Sequence, residues 1–419
     1  IKNDLNSKAN RYLNIGRFDR KPLKELVMGY GYPYEEINVE TEDGYILKLD
    51  RIPNPSSKKV VLFQHGVLDN SYPWVAHGAG DSLAFRAWDE GFDVYLGNFR
   101  GTIPRRQSPN STKNYWDYSV DDLRFDIKAF IDEIVKIKQK TFFEMRAMSV
   151  TQEDSDSPES TDSEQSSGPK KGFELQLVAH SMGTMATMIY LITRKLENKP
   201  HYVDQFVSIS QAGLHINAPT LAKISGPILE QLVNWGLDSF VFPETLVVIV
   251  AKIVEDLKKL PATGDLLTYF GSKVVSLGGK ATGPSTFSKA CRIFYNSLTT
   301  GTSKGIFMQF WRCHQTKKFQ AFDFGKRKNL QVYKTQHPRN YLDLYCLIDI
   351  PVYFISSLND QLIRPDDVLR HYKVLAQYKP ELAHVMIFEG YSHVDFTYAA
   401  HGDITNYIIN VIKNKYKSQ

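Results

Sequence analysis

The chain has 419 residues, of which 42% are hydrophobic and 23% charged, and its formal net charge at pH 7 is +5. This composition is that of a globular protein and excludes collagen-like, coiled-coil and wholly disordered chains. The small net charge, without a long Lys/Arg tract interleaved with aromatic residues, gives no reason to expect a nucleic-acid partner. The length fits roughly two or three domains, or one large α/β core that carries a substantial insertion.

Three further features bear on the cellular compartment and on membranes. The cysteines Cys291, Cys313 and Cys346 allow at most one internal disulfide and leave the redox compartment open. No apolar run reaches about 18 residues, so we expect no membrane-spanning helix within the chain. The chain begins with Ile1 rather than Met, which indicates a fragment or a processed form and leaves room for a signal peptide or an anchor upstream.

Along the chain, the hydrophobic pattern predicts first a hairpin and then an alternation of strands and helices. Apolar residues alternate over 36–52 around the turn tripeptide Glu42-Asp43-Gly44, which indicates an antiparallel hairpin. The predicted strands that follow are 60–63, 92–96, 175–179, 206–210, 351–356 and 385–388, and the predicted helices are 82–90, 120–140, 183–195 and 404–415. This order indicates an α/β fold with a mostly parallel central sheet and helices on both faces.

Two segments interrupt the alternation. Residues 147–172 are acidic and rich in serine, and we predict a disordered insert that is either a tolerated surface loop or a phosphorylation-dependent regulatory element. Residues 214–340 have helical apolar patterns and are predicted to form a cap inserted into the core, which comprises 1–213 and 341–419. The apolar stretches 216–233 and 240–254 of the cap either line an acyl-chain tunnel or dock on lipid, or they simply pack on the core.

The segment Leu177-Val178-Ala179-His180-Ser181-Met182-Gly183 carries the strongest chemical signal in the chain. A predicted strand runs directly into Ser181 and a predicted helix follows it, with the small residues Ala179 and Gly183 two positions to either side. This is the pattern of a nucleophile elbow, in which a sharp turn exposes the serine hydroxyl at the end of the sheet and leaves no room for larger neighbours. The helix N-terminus then points at the site, so the backbone N–H of Met182 is a predicted oxyanion donor.

A nucleophile elbow also needs a second oxyanion donor from the loop after an earlier strand. The strand 60–63 leads into His65-Gly66-Val67-Leu68, where the glycine allows the backbone to approach closely. We predict that the N–H of Val67 is this donor, with the N–H of Leu68 as the alternative. The competing interpretation of the segment is an ordinary turn.

An acid and a histidine should follow the serine in that chain order. Asp360 comes just after the predicted strand 351–356, and His393 lies in the loop after 385–388, so they are the predicted acid and base. Asp366 and Asp367 fit the first turn of a helix better. Asp395, two residues beyond the histidine, is a candidate partner within the same loop.

These residue types predict a covalent mechanism without a metal or cofactor. Ser181 attacks an ester carbonyl while His393 takes its proton, Asp360 orients the imidazole, and water hydrolyses the acyl-enzyme. No Cys/His cluster has the spacing of zinc ligands. Two alternatives stay open, namely an acyltransferase that uses an alcohol in place of water and a catalytically silent lipid-binding or scaffold protein. The intact set of Ser, Asp and His argues against the silent alternative.

Short blocks of sequence between about residues 29 and 397 resemble one family. They are Gly31-Tyr32-Pro33-Tyr34-Glu35-Glu36, Thr41-Glu42-Asp43-Gly44-Tyr45-Ile46-Leu47, Arg51-Ile52-Pro53, His65-Gly66-Val67-Leu68, Trp74-Val75, Ser82-Leu83-Ala84-Phe85, Gly91-Phe92-Asp93-Val94-Tyr95-Leu96-Gly97-Asn98-Phe99-Arg100-Gly101, Lys318-Phe319-Gln320-Ala321-Phe322-Asp323-Phe324-Gly325 and Ser392-His393-Val394-Asp395-Phe396. In this order they resemble the acid lipase family, which includes gastric and lysosomal acid lipases, fungal steryl ester hydrolases and plant relatives.

The resemblance implies an α/β-hydrolase fold with a helical cap and lid, acting on neutral lipid esters such as triacylglycerols or steryl esters. It implies that Ser181, Asp360 and His393 form the triad and that Val67 and Met182 are the oxyanion donors. Peripheral association with a membrane or lipid droplet is also expected. The exposed-type cluster of Lys317, Lys318, Lys326, Arg327 and Lys328 is either a solvated face or attracted to anionic membrane.

Three departures from the family pattern bear on location. The elbow begins with Ala179 where animal members have Gly, the insert 147–172 is outside the usual pattern, and Asn110-Ser111-Thr112 is a single sequon where secreted animal members carry several. We therefore expect an intracellular, membrane- or lipid-associated protein of a plant- or fungal-like branch rather than a secreted digestive enzyme, with a lysosomal location as the alternative.

Overall fold

The computed structural model describes residues 22–150, 172–218, 220–241, 300–398 and 402–413, and the elements are numbered within these residues. The strands are β1 (Glu35–Glu40), β2 (Tyr45–Ile52), β3 (Lys59–Gln64), β4 (Asp93–Gly97), β5 (Arg106–Gln107), β6 (Glu174–His180), β7 (Gln205–Ile209), β8 (Ser239–Phe240), β9 (Thr302–Ser303), β10 (Val352–Ser357) and β11 (Ala383–Phe388). The α-helices are α1 (Leu23–Gly29), α2 (Leu83–Asp89), α3 (Leu123–Val150), α4 (Met182–Leu196), α5 (Thr220–Asn234), α6 (Lys304–Thr316), α7 (Lys326–Tyr333), α8 (Pro365–Tyr378), α9 (Asp395–Tyr398) and α10 (Gly402–Ile412).

Within these residues, nine strands form one sheet in the order β1-β2-β4-β3-β6-β7-β10-β11, with β5 paired to β2. The first two strands form the predicted hairpin, and β2 is also antiparallel to β4. Every pairing from β4 to β11 along this order is parallel. The prediction of a mostly parallel central sheet is therefore confirmed.

The central strands are buried on both faces, as their continuous apolar runs predict. On one face Leu62 and Leu177 belong to a hydrophobic cluster that includes residues of α3 and α4. On the other face Val61 and Val178 belong to a second cluster, which includes residues of α2 and α10. Fully burying one such side chain contributes about 1.5–3 kcal/mol, so packing on both faces stabilises the sheet that carries the site.

The helices differ from the sequence prediction mainly in length. Helix α2 begins after Ser82 and ends before Gly91, whose φ of 86° is the left-handed conformation expected at a helix C-terminus. Helix α3 continues to Val150, about ten residues beyond the predicted end. The first four residues of the predicted insert 147–172 are therefore helical, and residues 151–171 lie outside the described part of the chain.

Between β7 and β10 the chain forms α5, α6 and α7, as the helical pattern of the predicted cap indicates. The short antiparallel pair of β8 and β9 was not predicted. Residues 219 and 242–299 of the cap lie outside the described residues, so the division into core and cap stays a prediction. Across the part of the chain that the structure describes, no helix is both long enough and apolar enough to cross a membrane.

Candidate active site

Ser181 lies in the sharp turn between β6 and α4, as the elbow pattern predicts. Its φ of 54° and ψ of −123° are a strained conformation for a residue with a side chain. The small neighbour at Gly183 is required, because a Cβ there would lie 2.6 Å from the carbonyl oxygen of His65. The backbone at the end of β3 and in the loop after it therefore limits the space at the turn.

A chain of hydrogen bonds joins the three predicted triad residues. The hydroxyl of Ser181 donates to Nε2 of His393 at 2.9 Å, and Nδ1–H of His393 donates to Oδ2 of Asp360, also at 2.9 Å. Asp360 is fully buried, and the other two side chains are almost so. The structure thus brings together side chains from the ends of three parallel strands, β6, β10 and β11. In this arrangement the imidazole presents a lone pair to the serine hydroxyl.

The carboxylate of Asp360 has hydrogen-bond donors at both oxygens. The backbone N–H groups of Leu362 and Ile363 donate to Oδ1 at 2.9 Å each. The hydroxyl of Ser210, just after β7, donates to Oδ2 at 2.8 Å. These donors fix the carboxylate in one orientation, with Oδ2 directed at the imidazole. The contact from Ser210 was not predicted from the sequence.

Two hydrogen bonds hold the loop that carries His393 in place. Asp395, the candidate partner within the loop, accepts a hydrogen bond from the backbone N–H of Ser392 at 2.7 Å. It therefore orders the backbone of the loop rather than the imidazole ring. On the other side, Nε2–H of His180 donates to the backbone oxygen of His393 at 3.0 Å. Burial, followed by the charge of His393, lowers the pKa of His180 well below its ordinary value and keeps its ring neutral.

The predicted oxyanion loop lies beside the nucleophile. A Cβ at Gly66 would come within 3.1 Å of the Cβ of Ser181, so the glycine permits this approach. Nδ1–H of His65 donates to the carbonyl oxygen of Gly66 at 2.8 Å, and the N–H of Phe99 donates to Nε2 of His65 at 3.0 Å. Burial lowers the pKa of His65 to about 4, so the ring stays neutral and both bonds persist above that pH. The two hydrogen bonds of His65 therefore hold the loop that contains Val67 in place.

A cavity of about 210 Å³ opens at the serine. Its walls are mostly apolar and come from the loop after β3, the segment after β7, helices α5 and α6, and the loop before α8. The described residues that line it are Val67, Ser181, Ala212, His215, Ala218, Gly226, Leu229, Phe307, Phe310, Trp311, His314, Leu362 and Ile363. Such a cavity suits an alkyl or acyl chain bound next to the nucleophile.

Asp366 is not part of this arrangement. It is exposed in the first turn of α8, as predicted for a helix N-terminus. The neighbouring Asp367 accepts hydrogen bonds from the backbone and side chain of Asn217. Neither carboxylate replaces Asp360 as the partner of the imidazole.

Comparison with known proteins gives matches over most of the chain. A family model described as "Partial alpha/beta-hydrolase lipase region" matches residues 23–78. Human gastric triacylglycerol lipase is 26% identical over 94% of this chain and 92% of its own length. Triacylglycerol lipase 1 of Arabidopsis thaliana is 25% identical over 94% of this chain and 91% of its own length. A solved esterase from Exiguobacterium antarcticum superposes with a TM-score of 0.50 at 13% identity, over 90% of this chain and 100% of that chain.

The parallel sheet and these matches define the class of protein. The chain has the α/β-hydrolase fold and is a carboxylic ester hydrolase. Within this superfamily its sequence is similar to that of acid lipases over most of the chain, as the sequence blocks predict.

Proposed function

We propose that this protein is a serine lipase that hydrolyses neutral lipid esters, such as triacylglycerols or steryl esters, through an acyl-enzyme on Ser181. The observation that carries the proposal is the chain of two 2.9 Å hydrogen bonds from Ser181 through His393 to Asp360, at the mouth of an apolar cavity. The names of the lipase relatives in human and Arabidopsis support a lipid ester as the substrate.

In the proposed first half-reaction, His393 removes the proton of Ser181 as its oxygen attacks the ester carbonyl. Asp360 holds the proton of Nδ1 and stabilises the imidazolium that forms. The backbone N–H groups of Val67 and Met182 stabilise the negative charge on the carbonyl oxygen. The imidazolium then protonates the leaving alcohol, which departs and leaves the acyl group on the serine.

In the second half-reaction, water replaces the alcohol and His393 acts again as base. Attack of this water on the acyl-enzyme regenerates the serine and releases a fatty acid. The apolar wall of the cavity, with Leu229, Phe307 and Phe310, offers the acyl chain a place to lie during both steps. We infer that residues 214–340 act as a cap, because α5 and α6 supply this wall.

We also propose that the protein works at a lipid surface. Helix α5 lines the cavity with Gly226 and Leu229, and it carries Ile228 and Leu232 at exposed positions. The exposed Trp235 follows directly after its last residue. Trp235 is 76% exposed, which is unusual for so large an apolar side chain unless it meets a partner or a lipid. The exposed basic residues at the start of α7 would add attraction to anionic lipid.

Labelling with a fluorophosphonate ester tests the proposed nucleophile. Intact-mass analysis followed by peptide mapping is expected to find one adduct, on Ser181, and the Ser181→Ala variant is expected to take up none. Ser181→Ala should also abolish ester hydrolysis while melting at the same temperature. Lipid micelles would be added in a parallel sample to open the cap. The absence of an adduct in both samples, with the protein folded, would contradict the proposal.

A further inference from the structure

Among the described residues that line the cavity, one has a buried polar atom with no hydrogen-bond partner. Nε2 of His215 is buried and has no hydrogen-bond partner among the described residues, although the ring lines the same cavity as Ser181. A buried polar atom without a partner destabilises the free protein. Its presence in the wall of the cavity that Ser181 also lines points to a ligand that supplies the missing bond.

The imidazole of His215 is held in place by its surroundings. Its backbone has a φ of 51°, and its carbonyl oxygen accepts a hydrogen bond from Nδ1–H of His314 on α6 at 2.7 Å. The ring packs against Phe310, with a centroid distance of 5.0 Å. Burial, with smaller contributions from His314 and His393, lowers the pKa of His215 to about 4. The ring is therefore neutral at ordinary pH, and Nε2 either donates or accepts one hydrogen bond, depending on the tautomer.

We propose that His215 forms a subsite for the alcohol part of an acylglycerol, in which Nε2 hydrogen-bonds to a second oxygen of the substrate while Ser181 attacks the scissile ester. That oxygen is a free hydroxyl or the carbonyl of a neighbouring ester group. The inference rests on the proposed function and deepens it, because it selects acylglycerols over steryl esters. A steryl ester has no oxygen besides those of the scissile ester, so its alcohol part leaves Nε2 without a partner.

Selectivity follows from this missing bond. A site that hydrogen-bonds a substrate oxygen discriminates strongly against an analogue that lacks the oxygen, because its own buried polar group then stays unpaired. Apart from Ser181 and His314, the remaining described wall, including Leu229 and Phe307, is mostly apolar and cannot make this distinction. Nδ1 of His314 is already bonded to the backbone oxygen of His215. A water molecule is the competing partner for Nε2, and it would satisfy the atom without any preference for the substrate.

The test compares two soluble esters of the same acid, glyceryl monobutyrate and propyl butyrate, which differ only in two hydroxyl groups. We expect His215→Phe to lower kcat/KM for the glyceryl ester about ten- to a hundredfold, as for one lost hydrogen bond. Any loss on the propyl ester should be smaller by this factor, because the propyl ester makes no such bond. The melting temperature should not fall, since no hydrogen bond within the described residues is lost at Nε2.

Two further variants at the same position serve as a matched pair. The amide of Gln reaches about as far as Nε2, so His215→Gln is expected to keep most of the preference for the glyceryl ester. The amide of Asn reaches only as far as Nδ1, so His215→Asn should lose it. Comparing Gln with Asn still tests the subsite if the Phe variant fails to fold. His215 has a positive φ, at which Asn is well tolerated.

Equal losses on both esters, or no loss on either, would overturn the subsite and leave the ester hydrolase intact. Equal behaviour of the Gln and Asn variants would overturn it as well. Hydrolysis of neither ester by the unmodified protein would instead contradict the proposed function, so the two failures are distinguishable. A glyceryl-specific loss, restored by Gln and not by Asn, would establish the subsite.

Discussion

Replacing Asp360 with Asn tests the proposed triad at one atom, because it removes the charge and leaves the size of the side chain almost unchanged. The N–H groups of Leu362 and Ile363 both point at Oδ1. They favour an oxygen there and disfavour an amide nitrogen, so the NH₂ of the new side chain should face His393. The imidazole must then accept at Nδ1 and carry its proton on Nε2. In that tautomer it cannot take the proton of Ser181.

The same change in the triad of a serine protease lowers kcat about 10⁴-fold, which corresponds to about 5 kcal/mol of lost transition-state stabilisation. We expect an effect of this order on the hydrolysis of a short-chain soluble ester, measured as kcat. The melting temperature should change little, because the two backbone donors keep an acceptor. Asp366→Asn, exposed on α8, is the matched control and should leave kcat unchanged. A kcat for Asp360→Asn within tenfold of the unmodified protein would refute the reasoning.

Three other changes have defined outcomes. Gly183→Ala places a Cβ 2.6 Å from a backbone oxygen, so we expect the free energy of unfolding to fall by about 1–3 kcal/mol and kcat to fall as well. Gly402→Ala meets no atom of the described residues within 4 Å and is the control that should change neither. Trp235→Ala should weaken co-sedimentation with lipid vesicles without changing hydrolysis of a soluble ester. Unchanged co-sedimentation would argue against the proposed lipid contact at the end of α5. The folded-state pKa of His215 is about 4 and its ordinary value 6.5, so its contribution to stability is present above pH 6.5 and lost as the pH falls to 4. The melting temperature of His215→Phe should therefore fall less between pH 6.5 and pH 4 than that of the unmodified protein, and the difference corresponds to at most about 3 kcal/mol of unfolding free energy. Parallel plots of melting temperature against pH for the two proteins would exclude the effect.

The sequence predicts the triad because each member is marked by local context. Ser181 is marked by small neighbours between a strand and a helix, and Asp360 and His393 each follow an apolar strand. In a parallel sheet, the carboxyl ends of neighbouring strands meet at one edge, so strand order alone brings such residues together. The hairpin of β1 and β2 was predicted from alternating apolar residues around a turn tripeptide, and the mostly parallel sheet from the alternation of strands and helices.

Roles that depend on contacts between distant segments were not predictable in this way. Ser210 bonds to a carboxylate 150 positions away, and His180 bonds to a backbone oxygen on the loop after β11. His215 looks like any histidine in a loop until the cavity is seen around it. Ser210 has one usable signal, since it follows a strand at the same edge of the sheet as the triad. Helix α3 was predicted too short, and its later apolar residues Phe143 and Met145 are exposed rather than packed on the core.

The pairing of β7 with β10 has a consequence for how the protein can vary. β7 ends at Ile209 and β10 begins at Val352, yet the two strands are hydrogen-bonded neighbours about 4.8 Å apart. Because the two strands are parallel, the connection between them leaves at one edge of the sheet and returns at the other, and both of its ends are fixed by the sheet. Such a long connection can change in length at little cost, because each doubling of loop length costs only about 0.6 kcal/mol. Leu229 and Phe307 of the cavity wall lie on this connection, whereas Ser181 does not. Insertions and deletions can therefore reshape what the cavity accepts while the proposed triad residues stay where the sheet holds them.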